Sequence, residues 1–417
     1  MSAAYPLRES ITIDHARECI LAASPRTSRT QVVKLSEALN RTLAIDVAAA
    51  CPLPNYTNSA MDGYALRFAD IAGKDRVTLS CVDSSFAGAP CRKEHFEADV
   101  CIEITTGAAV PKAFDTVIAF EKCDINEAAR TVTFNTSAIR AGANIRHQGE
   151  QVQPGQVILH RGVRIKAQHI ALLAAAGVAE VRVYDAINVA LLTTGSELIE
   201  PGKPLGPYQI YNSNGIMLKS QLEALGCNVQ SACIDDSAQN IAEQIVQAAA
   251  RCDMLILTGG AGEGRFDLSQ AQLGTLGSMQ PWSINMRPGR PMRFGTIASK
   301  PAFVLPGNPV AAFVTFLEFV RGALLQMQGR SEAPWLAESP AVLSGEIRKK
   351  PGRAEFARAR IVGYKNNLPV VEPMHSQSSA DLVTLAQSDV IVCLDHDCGH
   401  CSEGDIVQIQ YLREAAL

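Results

Sequence analysis

One pattern recurs three times between residues 187 and 305: an apolar run of strand character ends in a glycine-containing turn. Residues 187–193 run into Thr194-Gly195, residues 254–257 into Thr258-Gly259-Gly260, and residues 302–305 into Pro306-Gly307. Helical periods occupy 213–225, closed by Gly226, and 238–250, with a further strand at 228–234. Apolar strands alternating with helices specify βαβ units and a parallel sheet. Ligands of open α/β sheets bind outside the carboxyl ends of the strands, where all three glycine turns stand. A candidate site is thus placed before any single side chain is weighed.

The flanking sequence differs in kind. Residues 1–50 read as helix-rich, with an amphipathic helix over 9–23 and a second over 35–43. Short alternating runs at 77–82, 100–105, 116–120 and 131–134, broken by Gly and Pro, predict a β-rich lobe. A helix is expected at 166–176 and a linker at 329–339. From 341 to about Tyr411, short strands predict a small β-domain or barrel. The 417 residues fit about two to four domains. Lys and Arg number 38 against 42 Asp and Glu, so no basic field exists to hold nucleic acid. Residues 1–20 carry Arg8, Glu9, Asp14 and Glu18, and the apolar stretches fall short of a spanning helix. The expected location is the cytoplasm.

Of the 12 cysteines, most are scattered singly and read as reduced thiols. Cys393, His396, Cys398, His400 and Cys401 bring metal-ligand types close together, including a C-x-x-C. They lie between strand-like runs at 390–394 and 406–409, at one hairpin tip without a second ligand pair, so a plain turn is the expectation.

Several stretches are candidates to carry chemistry. Thr193-Thr194-Gly195-Ser196-Glu197 sets backbone N–H groups and a carboxylate at a strand end, and Thr258-Gly259-Gly260-Ala261-Gly262-Glu263-Gly264 sets four glycines at another. Free N–H groups in such loops cradle phosphate or another oxyanion. Asp267 follows where a helix would begin, as an N-cap or as a ligand. In Met286-Arg287-Pro288-Gly289-Arg290-Pro291, prolines stiffen a platform for two guanidiniums, the fork-shaped readers of oxyanions. A solvated basic turn is the alternative there, and Arg353 in Pro351-Gly352-Arg353 is a third residue of this kind. Asn58-Ser59-Ala60-Met61-Asp62-Gly63-Tyr64-Ala65 reads as a turn in which Gly supplies positive φ. In Leu305-Pro306-Gly307-Asn308-Pro309-Val310, Asn308 suits a helix cap and Pro309 its first turn.

These last two segments resemble signature segments of the molybdopterin molybdenumtransferase family, known as MoeA in bacteria and as the E domain of gephyrin. Residues 105–108, 142–149, 194–198, 287–291 and 351–356 also look like family segments, in family order, so the resemblance covers nearly the whole chain. It implies a multidomain α/β plus β fold: a helical N-terminal part with an inserted β-rich lobe, a three-layer α/β molybdopterin-binding domain, and a C-terminal β-barrel. The corresponding division is 1–182 (lobe about 51–140), 183–328 and 336–413.

The implied reaction inserts molybdenum from molybdate into adenylated molybdopterin and releases AMP, assisted by Mg2+ or Zn2+. Family members are homodimers that share the site between subunits. Carried over by motif, Asp62, Thr106, Glu197, Asp236 and Asp267 would be catalytic, and Glu197, Asp236 and Asp267 would hold the metal. Gly259, Gly260, Gly264, Arg287, Arg290, Pro306, Pro309, Arg353 and Ser379 would bind or shape the anion site. Asp235 competes with Asp236 as ligand, and tungstate with molybdate. Molybdopterin adenylyltransferase and molybdoenzyme-maturation proteins are the implied partners, without nucleic acid or membrane insertion. The rival readings are a catalytically impaired paralogue that binds molybdopterin or serves as a scaffold, and an adenylyltransferase-like activity in the α/β domain. The chain departs from the family pattern at Glu263 (with Arg265 nearby), Gln151 and Ser196, and has Arg287, Arg290 and Ser283 where members usually carry Lys.

Overall fold

The computed structural model describes residues 9–234, 238–259 and 270–414. Among them, seven strands form a mixed sheet in the order Glu9–Ile11, Gly277–Ile284, Pro291–Ile297, Lys300–Leu305, Met254–Thr258, Asn188–Thr194, Asn228–Ile234. The last four strands are parallel, as the βαβ pattern predicts. Pro291–Ile297 runs antiparallel to both neighbours, which makes the sheet mixed rather than parallel throughout.

Alternate strand residues face two separate cores. Val189, Leu191, Ile256, Phe303 and Leu305 pack against Leu218, Leu222, Val310 and Val314 on one side. Ala190, Leu192, Leu255, Leu257, Ala302 and Val304 pack with Ile245, Ala249 and Leu273 on the other. A sheet buried on both faces needs such continuous apolar strands, and three layers result. Helix Ser213–Ala224 begins at Asn212, whose side chain accepts from Gly215 N–H at 2.9 Å, and ends before Gly226 at φ 81°.

The long helix Pro309–Met327 contains a π-turn at Phe316–Val320. Its mean hydropathy of 1.5 would suit a membrane span, but 89% of it is buried inside the fold. The π-turn carries a buried carboxylate, Glu318, paired with Arg17 of helix Ile13–Ala22. The strand Glu9–Ile11 joins the edge of the α/β sheet, so the first described residues pack on that domain.

One expectation fails in the N-terminal part. No helix spans 35–43; only a 3-10 turn forms at Leu35–Glu37. Asn40 adopts φ 65°, and Thr42 and Leu43 bridge to Arg164 and Val183, so the chain turns and pairs instead of coiling. The β-rich lobe is a six-stranded sheet ordered Thr116–Ala119, Gly63–Leu66, Val100–Ile104, Arg76–Ser85, Thr131–Asn135, Cys123–Asn126.

The C-terminal part closes into a five-stranded barrel: Ala354–Lys365, Leu368–Pro373, Ser339–Leu343, Ile406–Tyr411, Val390–Leu394 and back to Ala354–Lys365. Small and branched side chains, including Ala341, Ala357, Ala359, Val371, Val392 and Ile409, fill the narrow interior. A two-residue strand, Met286–Arg287, pairs parallel with Ala354 and Glu355 and joins the barrel to the α/β domain.

Candidate functional site

The carboxyl ends of Asn188–Thr194, Met254–Thr258 and Lys300–Leu305 open onto a cleft of about 490 Å³. Thr194, Glu197, Asn214, Gly259, Asn308 and Pro309 line it, and Ala380 and Leu382 of the C-terminal domain close one wall. The strand-end loops are tied together by short polar bonds. Asn214 Nδ2 donates to Thr258 Oγ1 at 3.2 Å and to the Gly307 carbonyl at 2.7 Å. Thr258 Oγ1 in turn donates to the Pro306 carbonyl at 3.2 Å. Gly259 has φ 95°, and a Cβ there would stand 2.7 Å from Thr194 O and Oγ1, so only glycine lets the first two loops approach this closely. Asn212 Nδ2 donates to Thr193 Oγ1 at 2.9 Å, anchoring the start of helix Ser213–Ala224 at the cleft. Its first N–H groups therefore face a site suited to anions.

Asn308 departs from the cap expectation. It occupies the N-cap position, but its side chain makes no capping bond. Its Nδ2 donates instead to Ser379 Oγ at 3.0 Å, and Val310 N–H donates to the Ser379 carbonyl at 3.0 Å. Ser379 is thereby brought from the C-terminal domain to the rim of the cleft. Pro306 is buried behind it.

Arg287, Arg290 and Arg353 form a second group, outside the cleft lining but at the same end of the sheet. Pro291 pairs with Ser283 at the carboxyl end of Gly277–Ile284, and Arg293 pairs with Val304, which sets the Arg287–Arg290 turn beside the Pro306 loop. Gly289 has φ 100° and a Cβ there would sit 2.5 Å from the Thr315 methyl, so the turn lies tight on the long helix. Arg290 Nε donates to Ser283 Oγ at 2.8 Å, while Arg287 Nη1 is 3.8 Å from Glu355 Oε1. Both guanidiniums are exposed, as is Arg353 on its own glycine turn.

Asp62 and Thr106 form a third group, in the β-rich lobe, and neither lines the cleft. The structure brings these two together: Thr106 N–H donates to Asp62 Oδ1 at 2.6 Å. That bond, with a second from the Thr106 side chain, holds the Asp62 carboxyl below its ordinary range. The turn expectation at Gly63 needs correction. Gly63 is a strand residue, and glycine is required because a Cβ would overlap the Ile118 carbonyl, not because φ is positive.

Asp235, Asp236, Gly260, Glu263, Gly264, Arg265 and Asp267 lie outside the described residues. Among the described residues, no three His, Cys, Asp or Glu converge as a metal-holding group. At the hairpin tip, Cys398 and Cys401 are 3.5 Å apart, whereas His396 pairs with Asp397 and His400 with Glu346. The roles of Asn212 and Asn214 escaped the sequence reading. The signal was the run Tyr211-Asn212-Ser213-Asn214 directly before a helix that follows the first strand.

Three family models account for most of the chain. The MoeA N-terminal region (domain I and II) matches residues 11–177, a probable molybdopterin binding domain matches 190–326, and the MoeA C-terminal region (domain IV) matches 340–412. A molybdopterin molybdenumtransferase of Haemophilus influenzae is 33% identical over 401 residues, covering 96% of this chain and 98% of that protein. One of Synechococcus elongatus is 34% identical over 370 residues, covering 85% and 88%. The crystal structure of the molybdopterin biosynthesis MoeA protein of Pyrococcus horikoshii OT3 superposes with a TM-score of 0.82 at 26% identity, covering 97% of this chain and 100% of that one. With the closed C-terminal barrel and the three-layer α/β domain, these matches establish that the chain belongs to the MoeA family, the molybdopterin molybdenumtransferases of molybdenum cofactor biosynthesis.

Proposed function

We propose that this chain inserts molybdenum from molybdate into adenylated molybdopterin and releases AMP. The observation that carries this reading is the cleft at the strand carboxyl ends, where Glu197, Gly259 and Pro309 meet beside a helix N-terminus. Two anions, the phosphates of the adenylate and molybdate, have to be held close together against their mutual repulsion.

Glu197 is exposed in the cleft lining, where its carboxylate oxygens are suited to a hard cation. Glu197 with Asp236 and Asp267 makes an all-carboxylate set, which suits hard Mg2+ better than Zn2+. A bound divalent ion supplies charge neutralisation for attack at phosphorus. Arg287, Arg290 and Arg353 bind the oxyanion, and the Ser283 hydroxyl fixes the direction of the Arg290 fork. Gly259 donates its N–H to the Leu305 carbonyl at 3.3 Å and so holds two strand-end loops together beside the phosphate site, while Pro306, Pro309 and Ser379 shape the wall. The Asp62–Thr106 unit reaches the site from the other subunit of a homodimer. The protein works in the cytoplasm, after an adenylyltransferase has supplied its substrate.

Arg290→Ala tests the anion assignment. Losing one charge-assisted contact of about 1.5–3 kcal/mol raises the molybdate concentration for half-maximal AMP release by roughly 10- to 150-fold. Unchanged molybdate dependence would remove Arg290 from the oxyanion site.

A further inference from the structure

We propose that Cys398 and Cys401 form a reversible dithiol–disulfide site that exchanges with low-molecular-weight disulfides of the glutathione type. The pair stands in Cys398-Gly399-His400-Cys401, on the turn between the barrel strands Val390–Leu394 and Ile406–Tyr411. Neither cysteine is among the residues that line the cleft, and neither has a part in the chemistry assigned above.

The Cys398 and Cys401 Sγ atoms are 3.5 Å apart. A disulfide needs about 2.05 Å, a change that side-chain rotation can supply when the backbone is already placed. Here it is placed. Cys401 N–H donates to the Ile347 carbonyl at 3.0 Å, and Ile347 N–H to the Cys401 carbonyl at 2.9 Å. The Lys349 ammonium, itself only 8% exposed, donates to the Cys398 carbonyl at 2.6 Å. Gly352 N–H donates to the His396 carbonyl at 2.7 Å, tying the tip to the loop that bears Arg353.

The two thiols differ in access. Cys398 is half-buried, and Cys401 is 6% exposed. Burial, and next the neighbouring Cys398 thiol, push the Cys401 thiol up to about 11. Cys398 is thus the thiol that meets an incoming disulfide, and Cys401 the one that resolves it. The Cys398 thiolate attacks one sulfur of the small disulfide, forming a mixed disulfide and releasing one thiolate. Cys401, as its thiolate, then attacks Cys398 Sγ and releases the second. The protein gives up two electrons and two protons, and the small disulfide leaves as two thiols.

A rival pair exists in the β-rich lobe. Cys81 and Cys101 are register partners on adjacent strands, and the hydrogen bond from Cys101 lowers the Cys81 thiol to about 7. Cys101 is fully buried, and its bond with Cys81 together with that burial pushes its thiol far above the ordinary range, so it is the poorer resolving thiol.

The test is glutathione redox titration of the full-length protein, with acid quench, alkylation and peptide mass mapping of all 12 cysteines. The expected result is a Cys398–Cys401 disulfide that forms before any other cysteine is modified and returns to dithiol with excess reduced glutathione. Cys401→Ser should instead accumulate a glutathione adduct on Cys398. A first disulfide at Cys81–Cys101, stable glutathionylation of Cys398 in the unaltered protein, or both thiols remaining alkylatable while others oxidise would each overturn the proposal.

Discussion

Glu197→Gln is expected to slow molybdate-dependent AMP release by roughly 10²–10³-fold, the scale of removing one charged contact made in the transition state. The substitution keeps the shape of the side chain and deletes its charge. Glu197 lies exposed in the turn after Asn188–Thr194, so stability should move by no more than about 0.5 kcal/mol. The Mg2+ concentration for half-maximal rate should rise with it. Single-turnover kinetics across a Mg2+ series, with a thermal melt as control, check both. A variant that releases AMP within about threefold of the parent rate would take the metal assignment away from Glu197.

Arg17→Met is expected to destabilise the protein by about 3–5 kcal/mol, because it leaves the Glu318 carboxylate buried without its countercharge. The Arg17 guanidinium pairs with that carboxylate, its Nε donates to the Glu318 carbonyl at 3.4 Å, and its Cζ lies 4.8 Å from the Trp335 ring centre. Glu318 is 2% exposed, and burial raises its pKa above the ordinary 4.5 while Arg17 opposes the rise. A carboxyl whose pKa is higher folded than unfolded favours folding when protonated. That contribution is complete below about 4.5 and is lost as pH rises through the raised value. Without Arg17 the folded-state pKa climbs further, so the deficit should be largest near neutral pH and shrink on acidification. Chemical denaturation at several pH values measures this, and Arg17→Met with Glu318→Gln should recover most of the loss. A deficit that ignores both pH and the second substitution would mean that Arg17 acts only through its packing on Trp335.

The α/β core was legible because its signal is local. The strand expected at 228–234 forms as Asn228–Ile234, and the three glycine turns lie at the strand ends where the cleft opens. The strand-end positions of Glu197 and Gly259 followed from that pattern, whereas the part of Pro309 in the pocket came from the family resemblance. The antiparallel insertion Pro291–Ile297 was not, since short alternating strands carry their partner's direction nowhere in the sequence. Asn40 misled the helix expectation at 35–43 because one left-handed residue outweighs an apolar period. Asn308 looked like a cap and became a bridge to Ser379, a contact between residues 71 positions apart. Asn214 escaped notice for the same reason: its partners, Thr258 and Gly307, come from two other strand ends.

The most direct test of the function is single-turnover AMP release from adenylated molybdopterin with Mg2+, with and without molybdate. Release that depends on molybdate and saturates with it is the predicted result. Release indifferent to molybdate, or tight pterin binding with no release, would contradict the account, and the second outcome would leave a binding or scaffold protein.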